Sequence, residues 1–432
     1  MAMIWNPQAE TLPRAELEQL QLERLHQLVD RLYSCSPFYR ARLEAAGVRS
    51  EDLRTLDDLR RLPFTTKADV RAAYPFGLFA VPQDQVLELH CSSGTTGSPI
   101  LVGYTRADLD LWGEVMARVM GCAGVGPGDR VHNAYGYGLF TGGLGFHYGA
   151  LRVGATVLPI SSGNTARQVK LMNDLGCTVL CCTPSYALRI AEVMEETGVA
   201  PQALRVGIFG AEPWSEGMRE EIQRRLRLSA VDIYGLSEVI GPGVACECQE
   251  AKSGLHVNED HFLVEVVDPR TGEPLPDGER GELVFTTLTR EATPVLRYRT
   301  GDLSSLNREP CRCGRTLVRM ARVTGRVDDM LIIRGVNVFP SDVETILTRF
   351  PELEPQYQIV VDRERALDVL EVRVEAREGF YREETVRELE QRVAARLREG
   401  LGVSARVTVL RPKELPRTEV GKAVRVVDRR SL

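Results

Sequence analysis

The sequence predicts an α/β protein: a large N-terminal domain of α/β layers plus a β region, followed by a small α+β domain. Three observations carry this expectation. Between residues 85 and 240 short apolar runs alternate with helical patterns, as in a mostly parallel sheet. From about 260 two apolar runs flank a turn-rich segment, as in antiparallel strands. After about 325 helix and strand patterns alternate again in a compact final unit. The 432 residues suffice for two or three domains, and a formal net charge of −6 argues against non-specific nucleic-acid binding.

Within 14–34, Leu17, Leu20, Leu25, Val29 and Leu32 recur between charges, which predicts an amphipathic helix. Residues 86–91 alternate like a strand and run into a loop rich in Ser, Thr and Gly. Strands are expected at 131–136, 155–160, 177–182, 205–210 and 230–235, with helices at 108–120, 165–175, 185–197 and 215–227. Several of these strands end in Gly or a polar cluster, where open α/β sheets place ligands. Strands at 261–269 and 281–289 enclose the turn-rich segment. The final unit reads as a helix near 341–349, a strand at 367–375, a helix near 382–399 and a strand at 405–411. No apolar run reaches bilayer length and the N-terminus lacks signal-peptide character, so a cytoplasmic protein that does not enter a membrane is expected. Ten cysteines in so long a chain do not make a disulfide scaffold, and the adjacent Cys181 and Cys182 read as buried, reduced thiols.

The loop at 92–99 sets five hydroxyl side chains around two glycines. Glycine admits close backbone approach, and N–H and O–H donors can surround phosphate. It is not a Walker loop, because Ser98 follows Gly97 where a lysine would stand. Loops of this composition are also ordinary surface connections. Five further segments stand out, at 209–213, 232–238, 298–302, 324–329 and 416–422. Each alone reads as a turn, a solvated charge cluster or a surface lysine. The chain has 5 lysines against 49 arginines, which draws attention to Lys422 and, less strongly, to Lys67.

Together and in this order the segments resemble the adenylate-forming acyl-CoA synthetases, and within them the phenylacetate–CoA ligases. The resemblance runs nearly end to end, through 5–25, 134–150, 234–250 and 328–344, and the last two stretches are the most specific. It implies an ATP-dependent ligase that joins an aryl carboxylic acid to coenzyme A through an acyl-adenylate, releasing AMP and pyrophosphate. By the same resemblance Ser92, Ser93, Gly94, Thr95, Thr96, Gly97 and Ser98 hold the β- and γ-phosphates. Ala211, Glu212 and Pro213 border the adenine, and Asp232, Ile233, Tyr234, Gly235 and Ser237 complete the nucleotide site. Tyr234 offers an aromatic face there and Asp232 an acceptor. Glu238 is the implied Mg²⁺ ligand, Asp302 the ribose ligand, Arg326 a phosphate partner and Lys422 the group that reaches the α-phosphate and the attacking carboxylate. Lys422, Arg326 and Glu238 form the implied catalytic set. The resemblance divides the chain into 1–327 and a mobile 328–432, with Asp328 as hinge. Rotation would exchange Lys422 for Arg334 and Gly335, which approach coenzyme A. It also implies a homodimer. Two rival readings stand beside it. One is an adenylating enzyme of this fold with another acid or acceptor. The other is an inactive nucleotide-binding regulator, which would be expected to lack Lys422, Glu238 or Asp302.

The acyl slot is expected from Tyr135, Tyr137, Phe140 and Gly143, with Ile233 and Pro242. Aromatic and glycine residues together can form a flat slot for a ring, and no basic residue lies within 133–146 to favour a dicarboxylate. Either tyrosine could equally be core. A second signal is independent of the first: Cys248, His256, Cys311 and Cys313 stand at C-x-C and C-x₇-H spacings that suit a structural, tetrahedral Zn²⁺. Cys246 could replace Cys248, and a set of unliganded thiols is the alternative.

Overall fold

The amphipathic stripe at the start of the chain becomes a helix lying on the core. Helices α1 (Pro7–Glu10), α2 (Arg14–Cys35), α3 (Pro37–Ala46) and α4 (Lys67–Ala72) come first, and α2 buries Leu17, Leu25, Leu28, Val29 and Leu32. This is a computed structural model that describes residues 3–91, 99–327, 329–334, 336–364, 367–418 and 422–430. Residues 92–98, expected to hold phosphates, Asp328, expected as the hinge, and Gly335, expected near coenzyme A, therefore lie outside the described residues.

Strand β1 (Glu88–Cys91) pairs antiparallel with β2 (Leu101–Tyr104), and α5 (Arg106–Cys122) follows. Then strand and helix alternate: β3 (Arg130–Asn133), α6 (Thr141–Arg152), β4 (Thr156–Leu158), α7 (Thr165–Asp174), β5 (Val179–Cys182), α8 (Pro184–Thr197), β6 (Val206–Gly210), α9 (Glu216–Leu226) and β7 (Ser229–Leu236). These five strands are parallel, in the order β4-β3-β5-β6-β7. All of β5 and β6 is buried, because helices cover both faces of a parallel sheet; that is why the sequence shows continuous apolar runs there.

The expectation of a mostly parallel sheet holds for only half of it. β8 (Gly241–Glu247) and β9 (Leu255–Val257) extend the sheet antiparallel from β7. β10 (Phe262–Val267), β11 (Gly281–Thr287) and β12 (Tyr298–Ser304) form the separate antiparallel sheet read from sequence. β13 (Leu306–Asn307) and β14 (Arg319–Met320) then complete the nine strands, with β14 beside β9. The added strands are short or begin Gly-Pro-Gly, so they lack a readable period. Helix α6 was also missed. Its glycines read as loop, but they serve close packing: a Cβ on Gly149 would lie 2.7 Å from Met116 Cβ of α5, and one on Gly145 would lie 2.6 Å from Pro242 Cγ.

The final unit begins with the hairpin β15 (Leu331–Ile333) and β16 (Val336–Val338), then α10 (Pro340–Leu347). β17 (Leu353–Glu364), β18 (Leu367–Ala376), α11 (Val386–Leu401), β19 (Ala405–Leu410) and β20 (Val426–Asp428) follow. The sheet order is β19-β18-β17-β20. This unit has its own apolar core, including Ile333, Val343, Ile359, Val372 and Val393, distinct from the cores of the preceding residues. No helix among the described residues is long and apolar enough to cross a membrane.

The α5–α6 contact leaves no room for a methyl group. Gly149→Ala is expected to cost about 1–3 kcal/mol of stability, read as a lower thermal midpoint.

Candidate functional site

The ends of β6 and β7 lie side by side, and the residues beyond them turn out of the sheet. Gly210 has no alternative there, since a Cβ would sit 2.3 Å from the Ile233 carbonyl oxygen. Ala211 follows with φ of 71°, which aims Glu212 away from the strand. The Glu212 carboxylate accepts from two backbone N–H groups: Ser185 at the start of α8 (2.7 Å) and Ala423 (3.1 Å). The second bond brings the residue next to the exposed Lys422 against the 211–213 turn.

Asp302 lies on β12 and is nearly buried. Its Oδ2 accepts from the Tyr234 hydroxyl (2.7 Å) and its Oδ1 from Arg326 Nη1 (2.6 Å). Arg326 also donates to the Thr300 carbonyl (3.2 Å), and the Tyr234 ring stacks on Phe285. Three residues separated widely in sequence thus form one connected chain. Burial, reinforced by the Asp302 charge, holds the Tyr234 phenol well above its ordinary pKa.

Glu238 accepts from the Tyr298 hydroxyl (3.1 Å), and Ser237 Oγ lies 3.3 Å from Thr141 Oγ1. The backbone of this turn is held by Arg290, which sequence reasoning missed. Its Nη1 donates to the carbonyls of Ser237 (3.3 Å), Glu238 (2.8 Å) and Val239 (2.7 Å), and its Nη2 to Gly103 (3.3 Å). Arg290 is fully buried, with its guanidinium 4.8 Å from the Tyr104 ring centre. In a chain this rich in arginine, one more has no local signature.

Asp232 sits with Glu247, Arg219 and Arg322; its carboxylate is 3.6 Å from Arg322 Nε. Burial, with Glu247 adding to it, pushes its carboxyl up to about 8. The shift favours the protonated form of the group read from sequence as an acceptor, and in that form it can also donate. Lys67 opens α4, two residues beyond the Thr65–Tyr298 bridge. Arg334 lies exposed after β15, with Nε donating to the Asp368 carbonyl (2.9 Å).

In the expected acyl slot, Tyr135 is buried and stacks on Phe146, with ring centres 4.8 Å apart. Its hydroxyl has no hydrogen-bond partner among the described residues. Tyr137 Oη accepts from Asn133 (2.7 Å) and lies 3.2 Å from His147 Nδ1. Ile233 shares the Tyr135 cluster, and Pro242 pairs with Gly235 across β7–β8. Phe140 is exposed at the start of α6. Gly143 is a spacer, since a Cβ there would meet the Gly136 carbonyl oxygen at 2.6 Å. The missed neighbour is His90. Its ring bridges the Leu139 carbonyl (3.0 Å) and Glu88 (2.6 Å), tying β1 to the loop that carries Tyr137 and Phe140.

The ligand atoms of Cys248, His256, Cys311 and Cys313 all lie within 4.8 Å of one another. Cys248 and Cys311 sulfurs are 3.8 Å apart, and Cys313 Sγ is 3.4 Å from His256 Nε2. Cys246 is not part of the cluster; its thiol instead faces Cys122 at 3.1 Å.

Residues 41–288 match the family model described as AMP-binding enzyme, and 335–430 that of the AMP-binding enzyme C-terminal domain. The chain is 52% identical to phenylacetate-coenzyme A ligase of Thermus thermophilus, over 99% of this chain and 100% of that one. The enzyme of that name from Escherichia coli is 50% identical, over 98% of this chain and 97% of that one. The chain belongs to the phenylacetate–CoA ligase family. A crystal structure of 2-hydroxyisobutyryl-CoA ligase in the postadenylation state, in complex with R3-HIB-AMP, matches with a TM-score of 0.92 at 31% identity, covering 98% of this chain and 92% of that one. The same enzyme with 2-HIB-AMP and CoA in the thioesterification state gives 0.73 at 33% identity and the same coverage. The two units of this family member are therefore arranged as in the first of those structures.

Tyr234→Phe removes the hydrogen bond to Asp302 Oδ2 and is expected to raise the Michaelis constant for ATP about tenfold, with kcat changed far less. The Asp232 carboxyl has a second, pH-dependent consequence. Its folded pKa lies above its unfolded value, so the folded state binds the extra proton between about pH 4 and about pH 8. Its contribution to stability is therefore present at low pH and lost as pH rises through that window. Thermal unfolding from pH 5 to 9 should show this slope in the wild type and a flatter one in Asp232→Asn.

Proposed function

We propose that the protein activates an arylacetate, phenylacetate foremost, with ATP and transfers the acyl group to coenzyme A. The observation that carries this reading is the Glu212–Ala423 hydrogen bond, which seats the segment of Lys422 at the nucleotide turn in a chain about half identical to phenylacetate–CoA ligases. In the first step a carboxylate oxygen attacks the α-phosphorus and pyrophosphate leaves. In the second the CoA sulfur attacks the acyl carbon and AMP leaves with the bridging oxygen. Neither step needs a covalent bond to the protein, so catalysis is positioning and charge stabilisation.

In this reading the Lys422 ammonium meets the α-phosphate and the incoming carboxylate, offsetting their repulsion. Asp302, oriented by Tyr234 and Arg326, accepts from the ribose hydroxyls, and the 211–213 turn borders the adenine. Residues 92–98 hold the departing phosphates. Glu238 is a nearly buried hard oxygen donor steadied by Tyr298 and Arg290, which fits Mg²⁺; when bound, that ion would neutralise phosphate charge. The ring of the acid lies beside Tyr135, Tyr137 and Ile233, where no lysine or arginine within 133–146 would hold a second carboxylate. The units 1–327 and 328–432 act as separate bodies hinged at Asp328, and the second arrangement brings Arg334 and Gly335 to coenzyme A. The same reading makes the protein a cytoplasmic homodimer. Retention of Lys422, Glu238 and Asp302 favours an enzyme over an inactive nucleotide-binding regulator.

The Cys248, His256, Cys311 and Cys313 cluster fits a structural zinc. Tetrahedral Zn–S bonds of about 2.3 Å put sulfurs about 3.8 Å apart, which is the Cys248–Cys311 separation. The four donors leave no open position. The ion would staple the end of β8 and strand β9 to the β13–β14 connection.

Pyrophosphate exchange into ATP should depend on phenylacetate and its ring-substituted analogues. Exchange with aliphatic acids such as 2-hydroxyisobutyrate but not with phenylacetate would overturn the aryl assignment. Lys422→Ala is expected to lower exchange at least about 100-fold while largely sparing thioester formation from preformed phenylacetyl-adenylate. Metal analysis should find one zinc per chain. Cys311→Ser should lose it and unfold at lower temperature, while the Michaelis constant for ATP changes little.

A further inference from the structure

The segment that carries Lys422 is tied on both sides. Beyond the lysine, Ala423 N–H donates to Glu212. Before it stands Arg417, whose side chain joins two domains. Its Nη1 and Nη2 donate to the two carboxylate oxygens of Glu375 on β18 (2.8 and 2.7 Å), a fully buried acid. Its Nε donates to Glu192 on α8, with both oxygens in reach (2.9 and 3.1 Å).

These two acids differ in what they belong to. Glu375 is part of the small unit and also accepts from the Lys413 and Leu415 N–H groups (3.0 and 2.6 Å), so it fixes residues 413–417 to their own sheet. Glu192 belongs to the large domain, and Arg189, one turn away, also pairs with it (3.1 Å). Two neighbouring cross-domain pairs repeat the design. Lys413 Nζ meets Glu196 (2.5 Å), which lies 3.8 Å from Arg189. Arg377 meets Glu221 with two bonds (2.9 and 3.0 Å), and Glu221 is also paired with Arg224 (2.7 Å). Each acid on the large domain thus keeps a basic partner on its own helix. Separating the domains strands none of them, and the large penalty of an unpaired buried charge does not arise.

We propose that Arg417 is a positioning residue for adenylation, and that its bridge to Glu192 is a releasable latch holding the Lys422 segment at the nucleotide turn. When the small domain turns for the thioester step, Arg417 leaves with Glu375 and Glu192 stays with Arg189. The inference rests on the reading of Lys422 as the lysine of the first half-reaction.

Glu192→Gln tests it, because this variant removes the charge that Arg417 meets across the domain boundary, together with its pair to Arg189 within α8, and leaves the Arg417–Glu375 pair intact. Two rates are measured: pyrophosphate exchange with phenylacetate, and single-turnover thioester formation from phenylacetyl-adenylate and CoA. The ratio of exchange to thioester formation should fall about three- to tenfold in Glu192→Gln, with thioester formation as fast as in the wild type or faster. Arg417→Lys, which keeps the charge but not the fork, should fall between the two. Added salt should lower the wild-type ratio but leave that of Glu192→Gln flat. An unchanged ratio, or an equal loss in both half-reactions, would overturn the latch. Lys422→Ala in the wild-type background separates this failure from the other: if exchange survives there, the reading of the lysine fails whatever Glu192→Gln does.

Discussion

Glu212 divides its two carboxylate oxygens between the N–H groups of Ser185 and Ala423, and through them it joins the head of α8 to the segment beside Lys422. Hydrogen bonds to a charged acceptor are worth about 1.5–3 kcal/mol each. That is enough to hold a turn whose first residue, Ala211, sits at positive φ, a conformation costing an alanine about 1–2 kcal/mol. The strain follows from the packing of β6 on β7. Gly210 lies so close to the Ile233 carbonyl that the chain must leave the sheet there, and a left-handed residue is what turns the acid toward both donors. The 211–213 turn and the contact of residue 423 with it therefore meet at Glu212.

The arginine excess has a structural expression in the interior. Arg118 pairs with Asp260 (2.7 Å), Arg219 with Glu247 (2.8 Å) and Arg315 with Glu10 (2.5 Å), all in fully buried positions. Arg290 takes carbonyl oxygens instead. A planar guanidinium can satisfy several acceptors at fixed angles, which a lysine ammonium cannot. Removing one partner from such a pair leaves a buried charge, at a cost of about 3–5 kcal/mol. Arg290 places this rigidity under Glu238, and the Arg219–Glu247 pair places it beside Asp232.

Most of the frame was legible because its period was legible. The parallel strands read as apolar runs since both faces are covered, and the helices between them showed their stripe. The site constellation was legible as order along the chain: Tyr234, Asp302 and Arg326 have no local signature of contact, yet they bond in sequence. What escaped were features with no period or no motif. In α6 the glycines that allow close approach to α5 also erase the helical pattern. β8 and β9 are recognisable only through their pairing. Arg290 and His90 act through backbone carbonyls, which no side-chain pattern records. The choice between Cys246 and Cys248 was likewise open until β8 turned Cys246 toward Cys122.

The charges inside the large domain and those at its boundary with the small one obey different rules. Arg118, Arg219 and Arg315 are inaccessible to water, so their pairs are fixed for as long as the fold persists. At the boundary, Glu192, Glu196 and Glu221 are shared between a basic residue of the other unit and one of their own. Docking adds a second partner rather than the first, and water can replace it. Lys413–Glu196 is an exposed pair, worth about 0.2–1 kcal/mol, whereas Arg417–Glu192 and Arg377–Glu221 are largely covered, and it is the retained partner on the same helix that makes them releasable. If Lys422 is delivered for one half-reaction and withdrawn for the other, as proposed, releasable contacts of this kind suit the boundary. The strong kind belongs where Glu238 and Asp302 must not move.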